Sequence, residues 1–128
     1  MTPEARAALE RARARLDRLD LYPRPVRIDR VRIWTVPAFF KLPRLRRYNG
    51  YALWRTILLR KPPGRGASDD LITHELCHIW QMQNRPLHVL FKFFTTRYRK
   101  NPYEIEARRA VAETRGHSAA SSGSVRVD

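Results

Sequence analysis

Two histidines four residues apart, His74 and His78, with Glu75 beside the first, constrain this chain more than any other feature, because their spacing has a geometric meaning only on a helix. Residues at i and i+4 lie on one helical face about one turn apart, so two imidazoles placed this way can grip a single cation. The punctuation around the motif agrees. Ser68 can cap a first turn, Asp69 and Asp70 complement the helix dipole, and Pro86 closes a helix running through Ile72, Leu76, Ile79 and Met82 to about Asn84. Glu75 then projects one residue round from the first imidazole. From there its carboxylate can reach a water on the cation without taking a coordination position. The competing reading is an amphipathic helix that merely carries two histidines.

Catalytic zinc takes three protein ligands and one open position, so a third donor has to come from elsewhere in the chain. The positions three and six beyond His78 are Gln81 and Asn84, which excludes the third histidine of a metzincin. His88 follows Pro86 too closely to fold back, and His117 falls in the tail, which leaves Glu104 and Glu106. These lie on a helix opened by Asn101 as N-cap and Pro102 at its first position. At about 100° per residue, Glu104 shares a face with Ala107 and Val111, while Glu106 points to the far side with Arg109 and Glu113. Glu104 is therefore the expected ligand, with a capping box to Asn101 as its alternative role. Small Ala107 on the same face would let this helix approach the motif helix closely.

With its two motifs, His74-Glu-Leu-Cys-His78 and Asn101-Pro-Tyr-Glu104-Ile-Glu-Ala107, the chain resembles the gluzincins, and particularly their small single-domain forms, the minigluzincins. The resemblance spans roughly residues 26–115. It implies an α+β zincin-like fold: a small mixed sheet with an N-terminal helix, the active-site helix beneath it and a glutamate helix crossing behind. It also implies a one-zinc peptidase acting on a peptide or protein, with His74, His78 and Glu104 as ligands and Glu75 as the general base. Many gluzincins carry Asp four residues after the ligand glutamate; Arg108 stands there in this chain. Asp70, one turn before His74, is a candidate to orient that ring, and Tyr98, Tyr103 and Arg108 are candidate oxyanion donors. An exposed strand within Thr56–Arg60 is the expected partner for extended substrate backbone.

The other elements follow from periodicity. A helix is predicted over about residues 4–19, with Thr2 as N-cap and Ala5, Leu9, Ala12, Leu16 and Leu19 facing the core. Val26–Val36 alternates as a strand, with a bulge or turn at Asp29-Arg30, and residues 37–48 carry no decisive pattern. Asn49-Gly50 marks a turn before a strand-like run over Tyr51–Arg60 that bends near Trp54-Arg55, and the loop Pro62–Gly66 follows. Leu87–Tyr98 is an apolar run with a basic end. It reads as a short helix, pocket wall or lid, with a membrane-contact patch as the alternative to core burial, which is the more common fate of such a run. The last helix is expected to end near Arg115 at Gly116, leaving one domain over residues 1–116 and a disordered tail over 117–128.

Charge adds a second theme. The formal charge of +14 attracts polyanions, so a nucleic acid or an acidic protein is an expected partner beside the peptide substrate. Arginines scattered from Arg6 to Arg126, with no aromatic-basic repeat, fit codon bias equally well. A non-catalytic binding module with this fold is the alternative to the enzyme, and an inactive precursor whose N-terminal segment or a loop fills the cleft is a third reading. No run reaches membrane-spanning length, and the start lacks a secretory pattern, so a cytoplasmic location is expected. The single cysteine, Cys77, excludes an internal disulfide and is read as core, with a redox or inhibitory ligand as its alternative.

Overall fold

The computed structural model describes residues 1–97 and 100–115. The chain is α+β, and the described residues form four α-helices and a three-stranded sheet. Its elements are α1 (Pro3–Leu16), β1 (Arg32–Thr35), a 3-10 turn (Pro37–Lys41), β2 (Gly50–Leu53), β3 (Thr56–Leu59), α2 (Asp69–Asn84), α3 (Pro86–Thr95) and α4 (Pro102–Thr114). Helix α2 is the centre of the molecule, packed by the sheet, by α1 and α4, and by α3. Its caps are those its sequence demands. The Ser68 hydroxyl accepts from the Leu71 amide at 3.1 Å, and Asp69 and Asp70 occupy the first turn. Leu76 and Ile72 are fully buried on this helix, against Leu9 and Leu16 of α1 and Ile57 and Leu59 of β3 in one continuous core.

The sheet is mixed, in the order β1-β3-β2, with β1 parallel and β2 antiparallel to β3. Strand β3 is therefore central and paired on both sides. This corrects the expectation that Thr56–Arg60 is free to take substrate backbone; the edge beside the motif helix is β2. The bend at Trp54-Arg55 is a two-residue hairpin turn, with Trp54 at φ 59°, where glycine is usual. Gly50 is the first residue of β2 rather than part of a turn. A Cβ there would lie 3.1 Å from Leu71 Cδ1 and 3.4 Å from Glu75 Cγ, so the glycine lets β2 lie directly against α2.

Three other expectations shift. Helix α1 ends at Leu16 rather than near residue 19. Its last turn tightens into i→i−3 bonds, Arg18 to Arg15 and Leu19 to Leu16, which carry Leu19 onto the core from outside the helix. The strand predicted over Val26–Val36 is confined to Arg32–Thr35. Val26, Ile28 and Val31 are buried as their alternation implies, but their stretch has no ladder partner. A turn closes at Asp29-Arg30, and the end of α2 takes the free backbone groups, with the Gln83 amide bonding both ways to Arg27 and the Trp80 indole donating to the Arg24 carbonyl.

The third shift is the apolar run after α2. It does form a helix, α3, but only Val89 is buried on it, while Leu87 and Phe94 are 82% and 81% exposed, so it is not part of the core. Among the described residues no helix is long and apolar enough to cross a membrane. The expected tail over 117–128, Gly116 and His117 lie outside the described residues.

Candidate metal centre

Mid-helix on α2, His74 and His78 present their Nε2 atoms 3.2 Å apart to the end of one carboxylate. Glu104 Oε1 lies 2.6 Å from His74 Nε2, and Oε2 lies 3.0 Å from His78 Nε2. The donor atoms of the three residues all fall within 4.8 Å of one another, a group able to hold a metal ion. Glu104 is not spent on a capping box: Asn101 caps α4 through the Tyr103 amide at 2.9 Å, and the Glu104 carboxylate turns toward the rings. Ala107 and Ala110, buried on the inner face of α4, allow the close approach that brings Glu104 within reach.

The electrostatics follow from that closeness. Burial opposes charge on Glu104, but hydrogen bonds from His74 and His78 outweigh it and hold the carboxyl well below the ordinary range. Burial likewise disfavours the His78 imidazolium, while Glu104, Glu75 and Gln81 outweigh it and raise its pKa. A cation in the site would take the place of the shared protons. Glu75 sits alongside, 6% exposed, its carboxylate accepting from the Ala52 amide of β2. Desolvation dominates there and raises its pKa.

His78 is held from behind by residues that spacing alone did not single out. Its Nδ1 lies 2.8 Å from Gln81 Oε1, one turn along the same helix. The Gln81 amide nitrogen donates to the Tyr103 carbonyl at 2.8 Å and to Glu106 Oε1 at 3.0 Å, which orients the amide and keeps a proton on Nδ1. Nε2, which shares a proton with Glu104 at 3.0 Å, is then the nitrogen whose lone pair a cation would take once that proton leaves. Glu106 also accepts from the Tyr22 hydroxyl, whose pKa rises through burial and through this bond, so the phenol remains a donor. Glu106 thus points into the support of His78 rather than to the far side. Gln81 had a signal in the sequence, since a residue three beyond a ligand shares its face; Tyr22 and Glu106 had none.

The remaining candidates are distributed as follows. Asp70 does not orient His74; its carboxylate binds Arg15 at 2.9 Å and Arg115 at 2.8 Å, tying α1 and the end of α4 to the start of α2. Arg108 places Nη1 3.8 Å from Glu104 Oε1. The Tyr103 hydroxyl bonds His88 Nδ1, and Tyr103 faces the same cavity as His74 and Glu75. Tyr98 lies outside the described residues. Cys77 is fully buried, and burial pushes its thiol pKa far up, which fits a core side chain and not a ligand.

The cluster forms the floor of a cavity of about 430 Å³. Its walls are mostly apolar, with Tyr51 and Trp54 from the hairpin, Met82 from α2, and Leu90, Phe93 and Phe94 from α3. Comparison with models of protein families, with curated proteins and with solved structures yields no match to this chain.

Proposed function

We propose that the chain is a zinc-dependent peptidase of the gluzincin type, with a zincin-like fold. The observation that carries this reading is the convergence of His74, His78 and Glu104 within 4.8 Å at the base of a cavity that Glu75 also lines. Two imidazole nitrogens and one carboxylate suit a borderline divalent cation, with one coordination position left for water. The second-layer bond from His78 to Gln81 aims a ring nitrogen at the site before any ion arrives.

When bound, the ion supplies Lewis acidity, making a water more acidic and polarising a carbonyl. Glu75 takes the proton from the attacking water and delivers it to the departing amine. Its desolvated setting favours this, because a carboxyl raised above its ordinary pKa is a stronger base and a usable acid. β2 is the edge strand on the cavity side and the one an extended peptide would pair with, its Ala52 amide being held by Glu75, and Tyr103 on the cavity wall and Arg108 beside Glu104 are candidate donors for the developing oxyanion. Apolar walls select large apolar side chains next to the scissile bond.

The test is to measure bound metal in the purified protein and cleavage of an unstructured protein substrate, with and without a chelator. Bound zinc near one equivalent and chelator-sensitive cleavage are expected. Metal-free, inactive protein that binds polyanions in a salt-sensitive way would establish the non-catalytic module in its place.

A smaller effect is expected from the support of His78. Gln81→Leu keeps the buried volume but removes both amide functions, so metal affinity should fall about 10–100-fold. Competition with a chromophoric chelator reads this directly, and unchanged affinity would show that Gln81 contributes only packing.

A further inference from the structure

Helix α3 is built the wrong way round for a helix of a globular surface. Leu87, Leu90, Phe91 and Phe94 recur at i, i+3, i+4 and i+7, the spacing of a single apolar stripe. Such a stripe ordinarily faces the core. Here it faces water: Leu87, Phe91 and Phe94 are 82%, 60% and 81% exposed, and Leu90 is 37% exposed. The helix is fastened to the body from its other side, through buried Val89 and through the bond between His88 and Tyr103.

Charge around the stripe is of one sign. No acidic residue occurs between Asp29 and Asp69, and Glu75, buried in the site, is the only one between Asp70 and Glu104. Exposed Arg85 stands at the start of α3, and exposed Arg97 and Lys100 follow its end. A groove beside Phe93 is lined by Arg44, Arg46 and Arg47. The exposed acids are those of α1, of the turns from Asp17 to Asp29, Asp69 at the start of α2 and Glu113 near the end of α4, and none of them lies on α3 or on the segments that flank it in the chain.

From this pairing of an outward apolar stripe with the cations that bracket it, Arg85, Arg97 and Lys100 along the chain and the arginines of the groove beside Phe93, we infer that α3 docks the protein on an anionic membrane surface, with its stripe lying at the headgroup level. Amphipathic helices bind this way, through apolar side chains set below the headgroups and cations that meet anionic lipid. A second copy of the chain is a poor occupant, because it would bring two basic surrounds together. Leu90 and Phe94 belong to both the stripe and the cavity wall, so docking would bring the mouth of the cavity to the membrane. The inference does not depend on hydrolysis, and Glu75→Gln should dock as the unaltered protein does.

Co-sedimentation of the full chain with vesicles tests it. Phosphatidylcholine vesicles containing phosphatidylserine are expected to bind at least about tenfold more tightly than phosphatidylcholine alone, and added salt should weaken the binding. The triple variant Leu87→Ser, Phe91→Ser, Phe94→Ser should lose about tenfold or more while keeping its far-ultraviolet circular dichroism, since all three positions are exposed. A second variant, Arg97→Glu with Lys100→Glu, should lose the preference for phosphatidylserine. Equal binding by the triple variant would reduce the effect to charge alone and overturn the inference. No vesicle binding, or self-association that the triple variant abolishes, would overturn it as well.

Discussion

Glu75→Gln is expected to lower peptide hydrolysis by about 10²–10⁴-fold while bound metal stays at the level of the unaltered protein. Glutamine keeps the size and one acceptor oxygen of the side chain, so the contact with the Ala52 amide survives and β2 keeps its place on α2. What disappears is the group that takes the proton of water and passes it on. Because Glu75 lies outside the cluster of three donors, the loss should fall on kcat and leave metal titration untouched. The comparison therefore separates chemistry from metal binding. A variant that hydrolyses at the original rate would remove Glu75 from the mechanism, and one that loses metal as well would make it a ligand.

Glu104→Ala should do the opposite, abolishing metal binding and activity together. Partners behind a ligand are worth about 10–100-fold in affinity, so removing a ligand itself should cost more than about 100-fold. The carboxylate is 5% exposed and meets both imidazoles, and no other carboxylate of the described residues joins that cluster. Without it the two rings face each other across 3.2 Å with only their own lone pairs to share. Isothermal titration with zinc, alongside circular dichroism to show that α4 still packs through Ala107 and Ala110, reads the effect. Zinc affinity equal to that of the unaltered chain would dismiss Glu104 as a ligand.

The parts of this molecule that could be read in advance are those decided within a turn or two of chain. Ser68, Asp69 and Pro86 delimit α2 by local hydrogen bonding and sterics, and the separation of His74 from His78 becomes a shared face as soon as the helix forms. Glu104 was reachable for the same reason, since its position relative to Ala107 is set inside α4. What escaped prediction depends on which element lies beside which. Thr56–Leu59 looks like any strand, and only the arrival of β1 on one side and β2 on the other makes it central. Asp70 stands one turn from His74, yet two arginines from α1 and the end of α4 reach its carboxylate. Glu106 was assigned by the helical wheel to the side opposite Glu104, but the two flank Ala107, and a glutamate side chain is long enough to reach Gln81 from there. Composition misled at α3, where large apolar residues usually mean core and here mean surface.

The first helix has a bearing on control. Leu9 and Leu16 are fully buried, Arg15 bonds Asp70, Thr114 and the Val111 carbonyl, and no residue of α1 borders the cavity. It is therefore a keystone and not a plug: clipping it away would strip the hydrophobic interior and unseat the histidine helix, with nothing uncovered in exchange. Trimming within the first helix is therefore expected to unfold the molecule and not to switch it on.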